Sequence, residues 1–288
     1  MINDKKLAIS SNKIGAGKMG DVIINPEYLK LIEEVKQLKE DIANLYEEKD
    51  ELLYHTCKII ETEYMSKVGV LEYKLYEFQC KILRLKRKIE LYQININRQE
   101  VPNEKEIEEK LDAEYKEYEK KLNKMSNDIQ EALDRKNCSF LSEEDGKELK
   151  NIYRRLIKKL HPDLNKESSE KNKNLFLQVT RAYENGDLET LKNLELLTNE
   201  IVEKENIETG EFEELKNSKL KYKEIVKELL ETIKKIKESY PYNKKEFLKS
   251  DILVQKKKEE LSQQMEMYKE VYINLEKILK ELKGEKNV

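Results

Sequence analysis

Apolar residues recur every three or four positions along most of this chain, and that spacing restricts it to helices packed side by side. The first stripe runs at alternating steps of four and three, with one charged gap, through Leu31, Val35, Leu38, Ile42, Leu45, Leu52 and Ile59. Such a heptad stripe buries one narrow face of a helix against another helix. Only 8 glycines and 4 prolines punctuate 288 residues, of which 40% are charged. This composition disfavours a sheet protein and predicts an all-α fold.

Interruptions of the stripes predict where the helices end. Residues 1–25 are polar and without period, so we expect a disordered arm there. Residues 26–136 hold two stripes separated by a turn at residues 101–103, which predicts an antiparallel coiled-coil hairpin. Residues 198–288 hold two more stripes on either side of Pro241, which predicts a second helical hairpin or coiled coil. The expected molecule is therefore elongated, with residues 137–197 as a small unit between two coiled-coil hairpins.

Several functional classes find no support in the residues. The net charge is only -3, so the chain as a whole has no electrostatic attraction to nucleic acid. No stretch approaches 18 apolar residues and no apolar leader begins the chain, so we expect a cytoplasmic protein with no membrane contact. The three cysteines form no Cys-x-x-Cys pair, and the glycine-rich run at residues 15–20 has no preceding strand. We therefore predict no metal site and no cofactor.

The central unit has its own start and stop signals. Ser142 and the three acidic residues after it have capping-box form and predict the start of a helix. Pro162 should end this helix, leaving His161 at its C-terminus, where the helix dipole favours a positive imidazole. A second helix is expected over residues 174–184, stopped by Asn185-Gly186, and a third, capped by Asp187, over residues 188–197. The first two form a hairpin that should display His-Pro-Asp at a solvated tip. Substitutions such as His161→Gln and Asp163→Asn should therefore leave stability nearly unchanged.

These residues carry a resemblance to a known family. The run ELKNIYRRLIKKLHPDLN (residues 148–165), followed by LFLQVTRAYENGDLETL (residues 175–191), resembles a J-domain, the module by which Hsp40 co-chaperones stimulate Hsp70. The resemblance assigns Hsp70 binding to His161, Pro162, Asp163, Tyr153, Arg154, Arg155, Lys158, Lys159 and Asn165. It implies that the basic helix docks on an acidic Hsp70 surface and that Asp163 pairs with an arginine there. From Lys147 to Leu160 there are six basic residues and one acidic residue.

The sequence also departs from the family pattern. The tyrosine- and leucine-bearing first helix of the family is missing, Leu164 stands where a basic residue is usual, and Leu160 replaces the usual tyrosine. We expect the end of the preceding hairpin, around Ile129 and Leu133, to supply the missing packing. The pattern is similar to the third, divergent class of J-proteins, in which the rest of the chain carries targeting.

The resulting hypothesis is a co-chaperone and not an enzyme. No nucleophile or second acid accompanies His161, so we predict no catalytic residue. The coiled coils would serve an unknown client, targeting or self-association. A second hypothesis is a coiled-coil scaffold whose J-like segment is degenerate and inactive. A third, nucleic-acid binding through the basic helix, lacks a recognised binding motif.

Overall fold

The computed structural model describes residues 26–137, 141–165, 169–201 and 212–284, so the predicted disordered arm lies outside the described residues. All regular structure within these ranges is helical, which confirms the all-α prediction. The helices are α1 (Pro26–Glu51), α2 (Cys57–Tyr64), α3 (Val70–Asn97), α4 (Glu104–Asn137), α5 (Glu143–Leu160), α6 (Glu170–Glu184), α7 (Leu188–Ile201), α8 (Phe212–Glu238), α9 (Lys245–Leu248) and α10 (Asp251–Lys283). None of the described helices is both long enough and apolar enough to span a bilayer.

The first three helices form one continuous rod. Helix α1 passes into α2 through a π-helical turn at Leu52–Thr56, and α2 passes into α3 through another at Met65–Gly69. Gly69 lies at the end of the second π-helical turn. Some 70 residues of helix extend about 105 Å at the usual rise per residue. Helices α4, α5, α8, α9 and α10 pack on this rod, whereas α6 and α7 pack on α5 and on each other.

The C-terminal helices differ from the predicted hairpin, because they pack on the rod and not on each other. Helix α8 lies along α1 and α10 lies along α3. Both run parallel to the rod. Lys219 pairs with Glu34 near one end of α8, and Lys237 pairs with Glu48 near the other. Amphipathic stripes reveal which face of a helix is buried but not which helix covers it, so the spacing alone could not identify this pairing.

A parallel pair within one chain needs a long return path, and α4 to α7 provide it. Helix α4 runs back antiparallel to α3, where Arg84 contacts Glu108 and Asp112. It reaches α2 near its own end, where Arg135 pairs with Glu61 at 2.8 Å. Helix α5 then lies along α1, with α6 and α7 packed on α5, and α8 starts next to the beginning of the rod, where Phe212 lies beside Tyr28.

The central unit shares its core with the rod. One cluster of buried side chains joins α5, α6 and α7 to α1 and α8; it includes Ile42, Ala43, Leu149, Ile152, Tyr153, Leu156, Ile157, Leu160, Leu164, Val179, Tyr183, Leu191, Leu194 and Tyr222. Leu133 does not belong to this cluster. The expectation that the end of α4 supplies the missing packing is therefore wrong. Instead, α1 packs on α5, and α7 packs on both α5 and α6. Both α1 and α7 contribute buried apolar side chains to the shared cluster.

Candidate partner-binding face of the central unit

Local sequence signals set the ends of the two helices that frame the site. The Ser142 hydroxyl accepts a hydrogen bond from the Asp145 amide at 3.0 Å, which confirms the predicted start of α5. Helix α5 ends at Leu160. The next residue, His161, has an extended ψ of 128°, as the proline after it requires. Helix α6 is capped by Ser169 and therefore begins four residues before the predicted Asn174. The predicted stop at Asn185-Gly186 is confirmed, since Gly186 has a φ of +67°.

The His-Pro-Asp loop is held by its own polar groups. The Asp163 amide donates to the His161 Nδ1 atom at 3.1 Å. The Asn165 side-chain amide donates to the carbonyls of Lys158 and His161, at 3.2 and 3.0 Å. Through these bonds, the Asn165 side chain connects the loop to the last turn of α5. The loop geometry is thus fixed by residues that the sequence had assigned to partner binding.

His161 is buried, which corrects the expectation of a solvated tip. Its side chain packs between two rings, with centroid distances of 3.9 Å to Tyr46 and 4.8 Å to Phe176. Only 8% of the residue is exposed. Burial lowers the pKa of His161 to about 4, and the Asp163 carboxylate only partly opposes this. The expected positive imidazole is therefore wrong, because desolvation outweighs the helix dipole.

The other two residues of the tripeptide differ in exposure. Pro162 is exposed, whereas Asp163 is half-buried. The Asp163 carboxylate accepts a short hydrogen bond from the Tyr46 hydroxyl of α1. Burial and the Asp163 carboxylate raise the pKa of Tyr46, so the phenol stays protonated and keeps its donor. The resemblance assigns the Asp163 carboxylate to an ion pair with an Hsp70 arginine. In this structure that carboxylate instead accepts a hydrogen bond from Tyr46 of the same chain.

Tyr153, in the middle of α5, is fully buried. Its ring stacks on Tyr183 of α6 with 3.8 Å between centroids. Its hydroxyl donates to the buried Asp50 carboxylate of α1 at 2.8 Å. Such a bond to a charged acceptor contributes about 1.5–3 kcal/mol, and losing the donor leaves the Oδ2 atom of Asp50 unsatisfied, while Lys49 still pairs with its Oδ1 atom at 3.2 Å. Tyr153 therefore links α5 to α6 through its ring and to α1 through its hydroxyl.

A second polar junction lies next to it at Glu51. This carboxylate accepts from the Tyr183 hydroxyl and contacts His55, each at 2.9 Å, and it pairs with Lys150 at 2.9 Å. Burial alone would raise the pKa of Glu51, but hydrogen bonds from His55, Lys150 and Tyr183 lower it to about 2. The carboxylate is therefore ionised wherever the protein is folded near neutral pH.

The basic side chains of α5 divide between two neighbouring helices. Toward α1, Lys158 forms an ion pair with Glu40. Arg154 lies 3.5 Å from the Asn44 side-chain oxygen of the same helix. Toward α7, the Arg155 guanidinium pairs with Glu195 at 2.6 Å, and Lys159 donates to Asn199. Within the described ranges, no group of three metal-ligating side chains is placed to hold an ion.

Comparison with known families decides what this unit is. The family model of the DnaJ domain matches residues 141–185, which comprise α5, the His-Pro-Asp loop and α6. Residues 141–185 are a DnaJ domain. The matched segment is a small part of the chain and does not reach α7 or the rod. No curated protein and no solved structure matches the chain.

The rod residues that complete this DnaJ domain face were not predicted from the sequence. Tyr46, Asp50 and Glu51 lie in or next to the charged gap of the first stripe, between Leu45 and Leu52. The interruption of the apolar pattern was the available signal. Here the acidic residues beside the gap contact α5, since Asp50 accepts from Tyr153 and Glu51 pairs with Lys150.

Proposed function

We propose that this chain is a J-domain co-chaperone that binds an Hsp70 through its DnaJ domain and stimulates the ATPase of that partner. The observation that supports this most is the His161-Pro162-Asp163 tripeptide at the junction of α5 and α6 within the matched segment. Residues 147–160 of α5, with a local charge of +5, offer charge complementary to an acidic partner surface. Of the family classes, the divergent third one fits best, with the long helices available for a client, for targeting or for self-association.

The proposed roles follow the resemblance residue by residue. Asp163 would pair with an arginine of Hsp70, with Pro162 and His161 fixing its position. Along α5, Arg155 is exposed and Lys159 is half-buried beside their α7 partners, and both charges can steer an acidic surface toward the loop. The chain itself performs no chemical step and acts only by biasing the nucleotide cycle of its partner.

The test is single-turnover ATP hydrolysis by an Hsp70 from the same cell, with and without the full-length chain. We expect acceleration by the wild type and its loss in Asp163→Asn, which keeps an acceptor oxygen for Tyr46 but removes the charge. Asp251→Asn makes the same chemical change at an exposed position on α10 and should keep full activity. Equal rates for wild type, both variants and Hsp70 alone would refute the proposal.

One observation favours the scaffold hypothesis as the second candidate. His161 and Tyr153 are buried in a core shared with α1, so the DnaJ domain also serves as a structural part of the helical assembly. A pure scaffold predicts that Asp163→Asn changes neither Hsp70 activity nor any cellular partner. The same ATPase measurement therefore separates the two candidates.

A further inference from the structure

The chain covers the partner-facing side of its own DnaJ domain. On α5, Lys158 and Tyr153 contact Glu40 and Asp50 of α1. In the loop, the carboxylate of Asp163 is bonded to α1 as well. Residues from the middle of α5 to the His-Pro-Asp loop are therefore engaged by one short stretch of α1.

That stretch carries the charge that the proposed partner should carry. Residues 40–51 of α1 include six acidic residues and one basic residue, a local charge of -5. Residues 147–160 of α5 have a local charge of +5. The two segments are complementary in sign and magnitude, and the ion pairs Lys158–Glu40 and Lys150–Glu51 lie between them. An acidic Hsp70 surface would have to displace residues 40–51 of α1 before it could pair with Lys150 and Lys158.

We propose that residues 40–51 of α1 are an intramolecular inhibitor, which occupies the Hsp70-binding face of the DnaJ domain until α1 and α5 separate. This inference rests on the proposed function. Only the open fraction of molecules binds Hsp70, so the apparent affinity falls in proportion to that fraction. Helix α8 holds another side of α1, through Glu34 and Glu48, so the long helices remain paired when the DnaJ domain is released.

Two substitutions on α1 open the contact without touching the DnaJ domain itself. Tyr46→Phe removes the hydroxyl that bonds Asp163 but keeps the ring against His161. Glu40→Lys replaces an ion pair with Lys158 by a like-charge contact. Each should lower the protein concentration that gives half-maximal Hsp70 stimulation by about tenfold. Glu33→Lys makes the same charge change at an exposed position of α1 and is the matched control.

Amide hydrogen exchange of α5 in the full-length chain provides the second measurement. The proposal expects both release variants to raise exchange in residues 149–160 and Hsp70 stimulation together, with the control unchanged. If the wild type already stimulates as strongly as the variants, the inhibitor is refuted while the co-chaperone function stands. If exchange rises without any stimulation, the co-chaperone function fails and the inference fails with it. If neither changes, the α1–α5 contact is a fixed part of the core and the inhibitor is refuted.

Discussion

Replacing His161 with glutamine should destabilise the folded chain, although the sequence alone predicted almost no change. The imidazole lies between the rings of Tyr46 and Phe176. Aromatic contacts of this kind contribute about 0.5–1.5 kcal/mol each. The bond that its Nδ1 atom accepts from the Asp163 amide adds about 1 kcal/mol. A glutamine replaces part of the volume but neither ring contact, so we expect a loss of about 2 kcal/mol in the free energy of unfolding.

Urea denaturation followed by circular dichroism measures this loss. With an m value of about 3 kcal/mol/M, the midpoint should fall by roughly 0.7 M. Lys147→Gln, on the exposed side of α5, is the control and should change the free energy of unfolding by less than about 0.5 kcal/mol. An unchanged midpoint for His161→Gln would show that the ring lies in solvent and would refute the packing argument. Loss of Hsp70 stimulation in this variant must accordingly be separated from loss of fold.

Other perturbations test the same contacts. His161 has a pKa of about 4, below its usual 6.5, so the unfolded chain takes up the proton first. Wild-type stability should therefore fall from about pH 7 to pH 4 by about 3 kcal/mol more than that of His161→Gln in parallel urea titrations. Tyr153→Phe removes one of two partners of the buried Asp50 carboxylate, Lys49 being the other, and should lower the urea-derived free energy of unfolding by about 1.5–3 kcal/mol. Leu191→Ala should cost about 2–5 kcal/mol because this α7 side chain is fully buried, whereas Leu133→Ala should leave hydrogen exchange in α5 and α6 unchanged.

Local structure was the part that the sequence predicted best. Start signals at Ser142, the stop at Pro162 and the turn at Gly186 act within a few residues, and the structure has the corresponding helix ends. The start of α6 was placed too late, since Ser169 is a capping residue whose side chain accepts from the Asn172 amide at 3.2 Å. A Ser before an acidic residue is a weak signal in a chain with so many charges.

Pairing between distant helices was the part that the sequence could not determine. Every stripe offers a similar apolar face, and the loop lengths favoured neighbours in sequence. Instead, Tyr28 of α1 lies beside Phe212 of α8, and Phe78 of α3 beside Tyr272 of α10. The burial of His161 follows from the same cause: a loop that ends a hairpin is exposed only if no third helix covers it. In this chain α1 covers the loop, with Tyr46 packed on His161.

The charged gap in α1 connects the heptad pattern with the proposed regulation. A helix that pairs along its whole length keeps its stripe unbroken, because each charge in the stripe weakens the pairing. Between Leu45 and Leu52, α1 instead carries the acidic residues that meet Tyr153 and Lys150. The helix pairs with α8 through Glu34 before this gap and Glu48 within it, and it contacts α5 through Asp50 and Glu51. On the proposed mechanism, apolar substitutions at Asp50 and Glu51 should weaken the hold of α1 on the DnaJ domain, because they remove the bond to Tyr153 and the ion pair with Lys150.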